Sequence, residues 1–210
     1  MLRIDHAVLA VADLDEAGDR LLERTGLEFV RGGVHPAWGT ANRIAPLGDD
    51  YVEIICVTDP VVGTGNHLGR TLLDLTRDGN DRWFSICLRD DDIERTAARL
   101  GLTVEAGSRT RPDGVELRWR GAGIEDPQRP IWLPFFIAWD VPADRHPGRA
   151  RARHRVHPTG IVSAEIGGDP AAMRAWVGGA ELPLTVTDDG APPGVRSVTV
   201  GLAGGGGLVI

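Results

Sequence analysis

The chain has 210 residues, 42% hydrophobic and 25% charged, with a formal net charge of -7. That suffices for one sizeable core and argues against sequence-independent nucleic-acid binding, which rests on phosphate-neutralising cations. All 23 basic residues are arginine, which excludes chemistry through a lysine Schiff base. Cys56 and Cys87 stand singly in apolar runs, as buried hydrophobes rather than a disulfide framework or a CxxC metal site. With no apolar segment near roughly 18 residues and no basic-then-apolar leader, the expectation is a soluble, cytoplasmic protein with no membrane partner.

The opening stretch LRIDHAVLAVADLDEAGDRLLERTG reads as a strand from His6 to Val11, then a helix. Asp13 is the expected N-cap, with Glu16 at capping-box spacing; Leu14, Ala17 and Leu21 form the apolar stripe and Gly26 is the stop. Strand-like segments follow at Leu27 to Gly32, TANRIAPLG and DDYVEIICV, and a short helix is expected around Thr71 to Leu75.

The same grammar recurs from Trp83. A strand to Leu88, cap spacing at Asp91 and Glu94, a stripe of Ile93, Ala97 and Leu100, and a stop at Gly101 precede Leu102 to Ala106, GVELRWRG and PIWLPFFIAW, with RPDG at 111 to 114 as a turn. A βαβββ unit is thus written twice, over about 1–57 and 83–140, and these two units make one domain, 1–140. The basic stretch HPGRARARHRVHP lies in an expected solvated linker, 141–158. Residues 159–210 give a partial third unit, with Asp169 as N-cap, Pro170 at the first helical position and strands at Leu182 to Thr187 and Val195 to Leu202. The glycine run at 204 to 207 lacks the GK[ST] of a phosphate loop. The expected fold is α+β: tandem βαβββ units forming a cupped mixed sheet, whose concave side suits a small molecule.

The motifs IDHAVLAVADLDEA, GGVHPAWGTANRIAPLGDDYVEII and, less specifically, WLPFFIAWD resemble the vicinal oxygen chelate superfamily, and within it the glyoxalase-like domain family. The resemblance implies a divalent metal held by a histidine on the first strand and a carboxylate on the last strand of a unit, with matching ligands from the other unit. His6 and Glu53 occupy the first two positions. Trp83 stands at about the place matching His6, the strand from Ile131 to Trp139 has no acid or histidine, and Ala41 replaces a histidine frequent in relatives. Two of four ligands are therefore missing, and His35, Glu116 and His157 are the only extras at hand.

Alternation puts Tyr51, Glu53 and Ile55 on one face, and a carboxylate within VEIIC calls for a partner that His6 could supply. The two form either a ligand-contacting pair in the cup or a structural hydrogen-bonded pair. His35, Trp38, Thr40, Asn42 and Arg43 are the candidate substrate-binding residues of the first unit, Arg43 as the anchor for a carboxylate. Trp132 and Phe136 are those of the second, against a plain packing role. His67, His146 and His154 sit in polar surroundings and call for no role. Three functions follow: a glyoxalase-type lyase, isomerase or dioxygenase with a chelated metal; a binding protein that sequesters a small, oxygen-rich or aromatic molecule, as bleomycin-resistance relatives do; or metal-free acid–base catalysis by His6 and Glu53. Partners are a small-molecule ligand and, as a candidate assembly, a second copy of the chain.

Overall fold

A computed structural model describes residues 1–111 and 114–210; the turn expected at 111 to 114 falls partly on Pro112 and Asp113, outside the described residues. The first unit runs β1 (Arg3–Ala10), α1 (Leu14–Thr25), β2 (Val30–His35), β3 (Thr40–Pro46) and β4 (Tyr51–Val57). A connection holding α2 (Pro60–Gly63) and α3 (His67–Leu75) leads to β5 (Arg82–Arg89), α4 (Ile93–Leu100), β6 (Val104–Thr110), β7 (Glu116–Ala122) and β8 (Phe135–Trp139). These eight strands form one sheet in the order β2-β3-β4-β1-β5-β8-β7-β6. Within each unit the first strand lies parallel to the last, and the units join through the antiparallel pair β1 and β5. The order reads the same from either end, so the sheet has a pseudo-twofold axis at its centre and curls until the edges β2 and β6 approach each other.

Local chemistry sets the helices. Asp13 accepts from the amides of Asp15 and Glu16 at the start of α1, and Gly26 ends it at φ 74°, a conformation that glycine adopts without steric cost. Gly101 closes α4 in the same way at φ 70°. The N-cap of α4 departs from expectation: it is Asp92, without a side-chain cap bond, because Asp91 pairs with the amino terminus and Asp90 accepts from the Asp92 amide.

Two apolar layers result. Leu9, Ile54, Ile86, Leu88 and Phe136 point to the convex face, against Leu21 of α1 and Ile93 of α4. Val8, Ile55, Phe84, Phe135 and Ile137 point into the cup, where Leu68 and Leu72 of α3 fill part of the space.

The C-terminal region makes a separate sheet of β9 (Pro158–Gly167), β10 (Leu184–Thr187), β11 (Gly194–Leu202) and β12 (Gly207–Val209), with α5 (Pro170–Trp176) after β9. Its order, β10-β9-β11-β12, differs from that of the other units, because β10 returns beside β9 as a parallel neighbour. The glycine run turns a hairpin into β12, a strand the sequence did not suggest. Ile161, Ala164, Val198 and Val200 bury this sheet against the convex core.

The basic stretch expected as a solvated linker packs instead on the domain. His146, Pro147 and Gly148 are buried, and a Cβ at Gly148 would stand 2.4 Å from the Asp50 carbonyl, so only glycine fits there. His154 accepts from the Glu28 amide and meets the Pro46 carbonyl at 2.8 Å, clipping the chain to the first unit. Among the described residues no helix is long and apolar enough to cross a membrane.

Candidate functional site

The cup narrows to a cavity of about 50 Å³ walled by His6, Val8, His35, Trp38, Asn42, Tyr51, Glu53, Ile55, Phe84, Arg109, Trp119, Phe135, Ile137 and Trp139, among others. His6 and Glu53 meet there, Nε2 to Oε2 at 3.4 Å. Register explains it: His6 pairs with Tyr51 on the neighbouring parallel strand, and the Tyr51 ring stacks on the imidazole with centroids 4.4 Å apart. Asn42 donates from Nδ2 to Glu53 Oε1 at 2.7 Å, which fixes both the carboxylate and the amide orientation.

Asp5 completes the arrangement, and strict alternation hides it. The pairing of β1 with β5 slips between Ile4 and His6, so Asp5 is the extra residue of a β-bulge. Its side chain is fully buried. Oδ1 lies 2.7 Å from His6 Nδ1, while Oδ2 accepts from Arg89 Nε at 2.6 Å and Trp139 Nε1 at 3.0 Å. His146, whose Nδ1 accepts from the Gly148 amide, places Nε2 3.1 Å from the same oxygen. Burial pushes the Asp5 carboxyl up, but the bonds from His146 and His6 outweigh it and hold the group well below the usual carboxylate range. Asp5 is therefore an anion that orients His6 through Nδ1 and leaves Nε2 for Glu53 and the cavity. His146, for which the sequence suggested no role, is part of this network.

The remaining predicted residues divide. Trp38 and His35 line the cavity, and Thr40 is buried with its hydroxyl 3.0 Å from His35 Nδ1. Burial, aided by the Arg109 charge, pushes His35 down to about 3, so it is neutral at ordinary pH. Arg43 does not reach the cup: it donates to the Phe29 carbonyl at 2.7 Å and pairs with Asp15, pinning α1 to β3. Phe136 faces the convex core and stacks on Trp176, and Trp132 packs on Gly168. The expected strand from Ile131 begins only at Phe135, so Phe135, Ile137 and Trp139 supply the cup wall.

Trp38, Trp119 and His35 separate the cavity from an outer vestibule of about 530 Å³. A Cβ at Gly107 would lie 2.4 Å from the Trp119 ring, so glycine lets that indole lie flat on β6. The inner space is well below the roughly 300–1,000 Å³ of most ligand pockets, so a ligand of more than a few atoms needs part of the wall to move.

A model of the glyoxalase-like domain family matches residues 4–181. The chain belongs to the glyoxalase-like domain family. A hypothetical protein from Staphylococcus aureus has the same fold, at TM-score 0.65 and 16% identity over 95% of this glyoxalase-like chain and 81% of its own. Methylmalonyl-CoA epimerases also align. The Mycobacterium tuberculosis protein does so at TM-score 0.45 and 18% identity over 65% of this chain and 87% of its own. A Streptomyces coelicolor epimerase does so at 0.46 and 20% over 66% and 98%. No curated protein matched.

The metal centre that the resemblance implies calls for matching donors from both units of this glyoxalase-like domain. Ala10 pairs with Ile55 and Arg89 with Ile137, so counting back along the strands matches His6 to Ser85, Asp5 to Phe84 and Glu53 to Phe135. The counterpart of His6 is thus Ser85 rather than Trp83. Neither Phe84 nor Phe135 is a ligand, and a cation already occupies that half: Arg129 donates to Ser85 Oγ at 3.3 Å, to the Gly123 and Leu133 carbonyls, and lies 5.8 Å from both phenyl rings. Among the described residues, Asp5, His6 and Cys87 have donor atoms within 4.8 Å of one another, a spacing a metal ion could use. Their chemistry does not suit one. Both Asp5 oxygens and His6 Nδ1 are committed to each other or to N–H donors, Arg89 puts a fixed positive charge beside them, and burial pushes the Cys87 thiol far up. The residues present do not fit the metal that the resemblance implied.

Proposed function

We propose that this protein is a small-molecule isomerase or lyase that works by acid–base catalysis without a metal, with Glu53 as the base. The observation that carries the reading is the buried series Asp5, His6 and Glu53, ending at a cavity with apolar walls. His6 Nε2 faces Glu53 Oε2 at 3.4 Å, close enough for the imidazole to relay a proton to or from the carboxylate. Glu53 takes a proton from a carbon next to a carbonyl. The C–H electron pair becomes the C=C bond of an enolate and the carbonyl pair moves to oxygen. Return of the proton to the same carbon from the other face completes an epimerisation; loss of a β-substituent with its electron pair completes an elimination. A positioned carboxylate contributes about 10²–10⁴-fold to such a step.

The test is proton exchange in D2O. Small carbonyl compounds that bind are followed by NMR for loss of the α-hydrogen signal. Wild-type protein should speed the exchange of at least one, and Glu53→Gln should remove the effect while binding persists. Ligands that bind with no exchange in wild type would favour the sequestration reading instead.

A further inference from the structure

Arg109 lies on β6, in the second unit, and points between the sheet edges into the first unit's half of the cup. It is only 5% exposed, and Nη1 is buried without a hydrogen-bond partner. Among the described residues it takes part in no ion pair. Glu53, which lines the same cavity, is already held by Asn42 and His6 and acts on the arginine as a charge rather than a bonded partner. A buried, unpaired guanidinium is costly, because desolvation of a cation runs to several kcal/mol unless a partner offsets it. Burial lowers its pKa, yet an arginine starts so high that it stays charged.

The fold makes room for this group at some expense to β2. A Cβ at Gly33 would stand 2.9 Å from Arg109 Nη1 and 3.2 Å from its Cδ, and one at Gly32 would stand 2.2 Å from Asn42 Oδ1. The glycine pair in GGVHPAWGTANRI is therefore the gap through which a second-unit arginine reaches the site. Asn42 Oδ1, also buried, has no partner either. A charged donor and a neutral acceptor thus flank Glu53, both unsatisfied. Arg109 also lines a groove of about 620 Å³ between the edges, with Arg31, Ser108 and Thr110, which connects the position to solvent.

We propose that Arg109 is the substrate anchor: it holds the carboxylate of a small organic acid, while Asn42 Oδ1 accepts from a hydroxyl or amino hydrogen on the adjoining carbon. This rests on the acid–base reading and names its substrate class. A planar carboxylate matches the paired N–H groups of guanidinium. Within the inner cavity lining Arg109 is the one arginine, fewer cations than a phosphoryl group would ask for there. The anchor and the base come from different units, so the reacting carbon lies between them.

The experiment is calorimetric titration of wild type, Arg109→Gln and Arg109→Lys with lactate, pyruvate, 2-oxobutyrate and malonate, the primary amides of the first three, and inorganic phosphate. Wild type should bind at least one acid more than tenfold more tightly than its amide. Arg109→Gln should lose that preference and Arg109→Lys recover part of it. Thermal melts control for folding, and Arg109→Gln should melt no lower than wild type, since it removes an unpaired buried charge. Equal affinity for acid and amide, a preference that survives in Arg109→Gln, no binding of any acid, or phosphate binding more tightly than every acid would each overturn the proposal. Glu53→Gln separates the two readings. Arginine-dependent acid binding without exchange leaves the anchor standing and removes the chemistry; exchange of the amides at the rate of the acids does the reverse.

Discussion

The two βαβββ units share a backbone and differ in what they put at equivalent points. Where the first has Asp5, His6 and Glu53, the second has Phe84, Ser85 and Phe135. An arginine stands beside each set, half-buried Arg89 and buried Arg129. Arg89 of the central pair serves the Asp5 carboxylate; Arg129 satisfies itself on carbonyls and lies against the two phenyl rings. One half of the cup carries a buried carboxylate, imidazole and second carboxylate, and the other is an apolar wall of phenyl rings. A symmetric metal centre needs donors from both halves, so this divergence is why the chain has the tandem fold without the ligand set that the resemblance implied.

The comparison can be broken most forcefully at Glu53. Glu53→Gln should reduce exchange by about 10²–10⁴-fold, whereas Ser85→Ala in the second unit should leave it within about threefold, the scale of one modest hydrogen bond. Comparable losses from the two changes would mean that the units share the chemistry after all.

Asp5→Asn should be the most destabilising of these substitutions. A neutral amide cannot balance the Arg89 charge or satisfy the Arg89, Trp139, His146 and His6 donors together in a fully buried position, costing about 3–5 kcal/mol. Urea unfolding measures it, and a loss under about 1 kcal/mol would contradict the network described.

Asp50 sharpens the picture through pH. Burial, reinforced by the charges of Asp5 and Asp49, raises its carboxyl to about 6 against an Ile161 amide bond that lowers it. A raised folded-state pKa gives stability that is full below the unfolded value near 3.8 and lost as pH rises through about 6. Asp50→Asn should therefore gain on wild type between pH 4 and pH 7, by about 2 kcal/mol. Melts at the two pH values should show that growing gap; a constant gap would remove Asp50 from the account.

The smallest effect is expected at Arg43. Losing its bonds to the Phe29 and Leu14 carbonyls should cost Arg43→Ala about 1–2 kcal/mol of stability and leave carboxylate affinity unchanged. A large loss of affinity would return the anchor to Arg43.

These predictions also mark how far the sequence could be read. Capping residues and helix-ending glycines wrote the repeat legibly, because Asp13, Gly26 and Gly101 act through local geometry. His6 and Glu53 were visible as polar residues in apolar strands. Asp5 was not: a bulge puts two consecutive residues on one face, and nothing in RIDHAV announces it. Phe136 and Trp132 could not be told from Phe135 and Trp139, since a strand buried on both faces shows no alternation. Arg109 sits in a polar strand, VEAGSRT, that reads as solvent-facing. Its one trace is the Gly32 and Gly33 pair on the far strand, a signal of close approach that does not say what approaches.

The cup is not a closed barrel. Its outer strands β2 and β6 end the sheet order without pairing to each other, and across that seam they touch through side chains such as Arg109 over Gly33. Backbone hydrogen bonds hold every other junction, so the seam is the line along which the molecule yields at least cost. Breathing there would swing the arginine away from the glutamate and unlatch the route inward. An anion bridging the edges would act as a strut, slowing amide exchange on β2 and β6 together although they are remote in sequence.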